Sequence, residues 1–118
     1  MADVDLLYHV ATEHDWSRRT ATHYQPSGIV DEGFVHLSSA EQLVATLHRH
    51  YPGRRDLILL TVDPTRASAE LVWEDISGSG VAFPHIYGAI ELSAVVAAEP
   101  LPCDENGRFD RWQPPSEP

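Results

Sequence analysis

Residues 56–63 (DLILLTVD) constrain this chain more than any other stretch. Six residues with apolar or β-branched side chains run together between two aspartates, and Pro64 follows at once. The run is far shorter than the roughly 20 residues of a membrane-spanning helix. Without polar alternation it suits a strand buried on both faces.

The neighbouring segments divide into helices first and strands later. Residues 6–10 (LLYHV) read as a strand. Thr12 followed by Asp15 is a loose capping box, so a short helix is expected over 13–21, with Trp16 as nearly its whole apolar face. Residues 25–33 form a loop rich in Gly, Pro, Ser and Asp. Residues 34–38 (FVHLS) read as a second strand, and its end starts a helix: Ser38 with Glu41 and Ser39 with Gln42 both have capping-box spacing. Ala40, Leu43, Val44, Leu47 and Tyr51 then share one helical face, Arg49 and His50 suit the last turn, and Pro52-Gly53 ends it.

After residue 51 no helix is expected. Residues 70–74 (ELVWE) alternate as a strand does, and 76–80 (ISGSG) read as a flexible loop. In 83–88 (FPHIYG), Pro84 confines the piece to a sheet edge or a strand entrance. Residues 92–98 supply a closing strand, and 99–118, rich in proline, read as an irregular, loosely held tail. Because the βα alternation stops early, the pattern predicts an α+β fold with two helices in its N-terminal half, not a doubly wound parallel sheet. At 118 residues the chain suits one domain, with its core over about 5–98.

Charge narrows the function classes. The formal charge is −10, all eight basic residues are arginine, and protonating all seven histidines still leaves −3. Nucleic acid is therefore not an expected partner, since phosphate binding needs clustered cations. One cysteine, Cys103, leaves neither an internal disulfide nor a CxxC motif. The start Met1-Ala2-Asp3-Val4-Asp5 is acidic where a signal peptide is basic. A soluble, cytoplasmic protein with no membrane partner is expected; the oligomeric state stays open.

Three histidines stand out because each interrupts an apolar strand. Side chains alternate faces along a strand, which groups Leu7 with His9, Phe34 with His36 and Ser38, and Phe83 with His85 and Tyr87. Buried polar groups are costly unless hydrogen-bonded, so imidazoles in three such segments point to a wet cleft or a ligand. Metal binding is the rival reading, but the sequence has no HExxH, and His48 and His50 do not face the same way on a helix. Glu74, at a strand end before a glycine-rich loop, is the carboxylate to watch. Neither a GxSxG elbow nor a phosphate-cradling glycine loop is present.

The pieces 7–9 (LYH), 33–38 (GFVHLS), 56–64 (DLILLTVDP), 71–74 (LVWE) and 83–88 (FPHIYG) together resemble the bacterial family called domain of unknown function 952, over about residues 5–98. That family is in turn similar to RNA 2′-phosphotransferases of the ADP-ribosyltransferase superfamily. The resemblance implies a bent, split β-sheet with NAD in the cleft between its halves. It makes His9, His36 and His85 the candidate catalytic residues, and His9, His36, Ser38 and Tyr87 the candidate cofactor contacts, with no metal. The sequence departs from the phosphotransferases at Val10-Ala11, where they carry Gly-Thr, and the arginines that hold RNA phosphate have no match. The implied activity is NAD cleavage or ADP-ribosyl transfer; the alternatives are a non-catalytic module for a nucleotide or other small ligand, and a histidine-based metal-binding protein.

Overall fold

The computed structural model describes residues 5–114; the acidic start (residues 1–4) and the final prolines Pro115 and Pro118 lie outside the described residues. The fold is α+β. Leu57–Val62 forms strand β4, the middle strand of an antiparallel sheet in the order β1-β4-β8, with β1 at Leu7–Thr12 and β8 at Val95–Pro100. As the unbroken apolar run requires, β4 is covered on both faces. Leu60 and Val62 enter one core with Leu7, Ala11, Tyr24, Val35 and Ile86, whereas Leu57 and Leu59 enter another with Tyr8, Leu43 and Leu47.

The second core explains the longest helix. Helix α3 follows two short helices, α1 at Glu13–Ser17 and α2 at Ile29–Glu32, and spans Ala40–His50. It begins at Ser39 with both halves of a capping box in place: the Ser39 hydroxyl accepts from the Gln42 amide, and the Gln42 side chain accepts from the Ser39 amide. Leu43 and Leu47 on its inner face are fully buried.

The same core corrects the reading of the tail. Residues 101–114 form no helix or strand, yet they are held against the core. Leu101 and Phe109 are buried in the second core, with Cys103 and Trp112 packed beside them. The Leu101 amide donates to the Leu57 carbonyl, and the Phe109 amide donates to His48 Nε2. Gly107 at φ 78° comes so close to Gly53 that a Cβ there would lie 3.0 Å from the Gly53 Cα. Proline prevents regular structure here but not burial: one side of β4 needs apolar cover, and α3 alone leaves part of it open.

The remaining strands form two small sheets. His23–Tyr24 (β2) pairs with Ile90–Glu91 (β7), and Val35–His36 (β3) joins Leu71–Glu74 (β5) and Phe83–Ile86 (β6) in the order β3-β6-β5. Neither β2, β7 nor α2 is legible in the sequence pattern, and each is four residues or fewer. Helix α1 stops at Ser17, short of the expected residue 21, because Trp16 gives it little to bury and Thr20 turns the chain by accepting from the His23 amide. Residues 92–94 form a 3-10 turn, so the last strand starts at Val95.

Pro84 sits near the start of the middle strand of its sheet. Its carbonyl accepts from Leu37. In an antiparallel strand a residue's N and O point to the same side, so the missing N–H falls where β3 has ended and the pairing with β5 is intact.

Candidate functional site

The β1 sheet and the β3-β6-β5 sheet meet at one narrow joint. Tyr8 and Ser38 exchange two backbone hydrogen bonds of 2.8 and 2.7 Å, an isolated bridge that carries the end of one sheet onto the other. Two of the sequence-predicted site residues belong to this joint. Ser38 is buried, and its hydroxyl faces α3 at 3.4 Å from Thr46 Oγ1.

His9 is also buried, and its ring is used on both sides: Nδ1 lies 2.7 Å from the His36 carbonyl oxygen and Nε2 lies 2.8 Å from the Tyr24 hydroxyl. A carbonyl only accepts, so Nδ1 carries the proton; Nε2 then accepts from Tyr24. Burial pushes the His9 pKa down to about 4 and pushes the Tyr24 phenol up. Both groups therefore stay neutral, each satisfying the other.

His36 and His85 come together elsewhere. They are directly paired across β3 and β6, with ring centroids 5.0 Å apart, edge to face. His85 is 4% exposed, with Phe34 stacked on its ring at 4.2 Å. Tyr87 follows on the same side of β6, its ring 5.3 Å from Phe34 and its surface partly open. The alternation that groups Phe34 with His36, and His85 with Tyr87, thus produces one continuous aromatic face. His9 meets β3 through the backbone carbonyl of His36.

Each imidazole on the face is held by a carboxylate. His36 Nε2 is 2.9 Å from Glu32 Oε2, at the end of α2, and this pair is exposed. Gly33, at φ 84°, ends α2 in the left-handed conformation and lets the chain turn straight into Phe34 and β3. His85 Nδ1 is 2.9 Å from Glu74 Oε1 on β5, and the Tyr87 hydroxyl donates to the same oxygen. The Tyr87 and His85 donors hold the Glu74 carboxyl below the usual carboxylate range, and the carboxylate in turn pushes the Tyr87 phenol up.

An ionised carboxylate accepts only, so His85 Nδ1 carries the proton of this hydrogen bond. Among the described residues, no hydrogen-bond partner meets the other ring nitrogen, Nε2.

Glu74 was singled out in the sequence for its place at a strand end, and the strand register confirms that it shares a face with His85. Glu32 and Tyr24 were missed. Their partners lie 4 and 15 residues away in sequence, and the intervening turns leave no periodic signal. Among the described residues, no three His, Cys, Asp or Glu side chains converge closely enough to share a metal ion. No described helix is long and apolar enough to cross a membrane.

The family model described as "Protein of unknown function (DUF952)" matches residues 10–98, and the chain belongs to that family. The match contains His36, Glu74, His85 and Tyr87 and begins one residue after His9. No protein with a curated description matches. Solved structures of protein CC0527 from Caulobacter crescentus are similar over nearly the whole chain. One crystal structure is 30% identical with a TM-score of 0.77, covering 87% of this chain and 91% of that one. The solution NMR structure is 25% identical with a TM-score of 0.68, covering 89% of this chain and 91% of that one.

Proposed function

We propose that this DUF952 domain binds a nucleoside or nucleotide on the open face of the β3-β6-β5 sheet, and that His36, His85, Tyr87 and Glu74 make the contacts. The observation that carries this reading is the oriented His85: an imidazole of low exposure, anchored at Nδ1 by Glu74, whose Nε2 makes no hydrogen bond within the protein. A sugar hydroxyl, which can donate or accept, is a suitable partner for that nitrogen. Tyr87 offers a half-open ring for a flat base. His9 and Ser38 take positioning roles in this reading, because their side chains are spent on Tyr24 and Thr46.

NAD, the ligand implied by the resemblance to ADP-ribosyltransferases, fits this face at one end. A nicotinamide ring and its ribose match the aromatic surface and the Glu74–His85 pair. The diphosphate does not fit: no arginine hydrogen-bonds to, pairs with or stacks on any residue of the face, and the arginines that form ion pairs do so elsewhere, Arg54 with Asp56, Arg66 with Asp63 and Arg108 with Asp110. A second reading, cleavage of an N-ribosyl bond, is supported by Glu74. A carboxylate beside a sugar can stabilise the positive charge that develops when such a bond breaks.

Calorimetry with adenosine, ADP-ribose and NAD, together with an assay for released nicotinamide, tests both readings. Binding at millimolar ligand that is lost in His85→Ala supports the site. Binding without nicotinamide release leaves the module reading standing alone. Silence with all three ligands removes the site.

A further inference from the structure

The β3-β6-β5 sheet ends in an open edge. Strand β5 pairs with β6 on one side, and among the described residues no backbone group bonds to its other side. The register identifies the groups left over. The Tyr87 amide donates to the Glu70 carbonyl, so Glu70, Val72 and Glu74 direct their backbone groups towards β6, whereas Leu71 and Trp73 direct theirs outward. The amides and carbonyls of Leu71 and Trp73 thus line the edge without partners. Trp73 is 50% exposed, and Ile76 and Val81, in the loop that joins β5 to β6, are exposed as well. Edge strands are usually blocked by proline, lysine or a bulge; β5 has none of these. Unpaired backbone groups beside exposed apolar side chains form a template for an added strand.

Charge selects the occupant. Glu70 precedes β5 and Asp75 follows it. Glu70 is exposed and enters no ion pair among the described residues. Asp75 accepts from the Gly80 and Ser79 amides, which hold its carboxyl below the usual carboxylate range but bring no cation to it. A second copy paired about Val72 would set Glu70 opposite the other copy's Glu74 at both ends, and the chain as a whole carries a formal charge of −10. A strand with a basic residue at each end, about five positions apart, instead meets a carboxylate at each end.

We propose that β5 is a docking edge: an extended cationic segment of another protein adds to it as an antiparallel fourth strand. Its backbone pairs with Leu71 and Trp73, its apolar side chains cover Trp73, and its basic residues meet Glu70 and Asp75. This site lies on the edge of the sheet and does not depend on the nucleoside reading of the face.

The test titrates the full chain with the end-capped peptide Lys-Thr-Val-Thr-Val-Lys, followed by NMR at the backbone amides and the Trp73 indole. The Leu71 and Trp73 amides should shift and gain protection from hydrogen exchange. The same peptide N-methylated at both valines cannot donate to the edge and should not bind. The counterpart with glutamate in place of both lysines should bind about tenfold more weakly. Trp73→Ser, at an exposed position, should weaken binding of the lysine peptide, and Glu70→Gln should narrow the gap between the lysine and glutamate peptides.

Equal affinity for the two peptides would overturn the cationic partner. No shift at millimolar peptide, or shifts confined to residues outside 70–75, would overturn the docking edge. Protection of Leu71 and Trp73 that grows with protein concentration alone would seat a second copy on β5 and overturn the choice of occupant.

Discussion

His9 and His85 lie in different sheets of one small protein and have opposite environments. His9 sits at the joint between the sheets with both ring nitrogens bonded inside the protein. His85 sits on the face of the second sheet with one nitrogen bonded and the other without a partner. Both are almost fully buried, so burial does not separate them. The difference lies in what each second nitrogen meets, Tyr24 in one case and no protein group in the other. A satisfied imidazole contributes to the fold; a half-satisfied one is available to a ligand.

The sharpest way to break this contrast is to remove the two rings in turn. His9→Ala leaves the Tyr24 hydroxyl and the His36 carbonyl without partners and opens a cavity, so it should cost about 3–4 kcal/mol, read as a lowered urea midpoint at constant m-value. A loss under about 1 kcal/mol would show that the joint does not depend on His9. His85→Ala should instead abolish ligand binding and disturb the urea midpoint less.

The next effect is one of pH. His9 titrates near pH 4 in the fold and near 6.5 when unfolded. The unfolded chain therefore takes up the proton first. The stability associated with neutral His9 is intact above about pH 6.5 and is lost as pH falls towards 4, by up to about 3 kcal/mol. Urea unfolding between pH 7 and pH 4.5 measures this as the difference between the wild type and His9→Asn, which lacks the titrating ring. Parallel profiles for the two proteins would mean that His9 is not held neutral by the fold.

The smallest structural effect belongs to Glu74→Gln. Its carboxylate is partly solvent-exposed and holds only the orientation of His85 and Tyr87. The urea midpoint should stay close to that of the wild type while ligand affinity falls. A large drop in the midpoint would place Glu74 with His9 among the structural groups.

Much of the fold is legible along the chain because it depends on local chemistry. The apolar run at Leu57–Val62 announces a strand covered on both faces, and the Ser39/Gln42 spacing announces α3. Alternation correctly groups His36 with Phe34, and His85 with Tyr87. The cover of β4 by Leu101 and Phe109 was not legible. Nothing in a proline-rich stretch signals burial when its partner lies some 45 to 50 residues earlier.

The sequence by itself determined which residues could form strands, where α3 begins, and that three imidazoles would lie in apolar strands. Only the tertiary structure decided that His9 closes on Tyr24 and that His36 and His85 meet between two glutamates. The physical reason is that strand periodicity fixes which way a side chain points, whereas its chemistry depends on the group that the rest of the chain places in front of it.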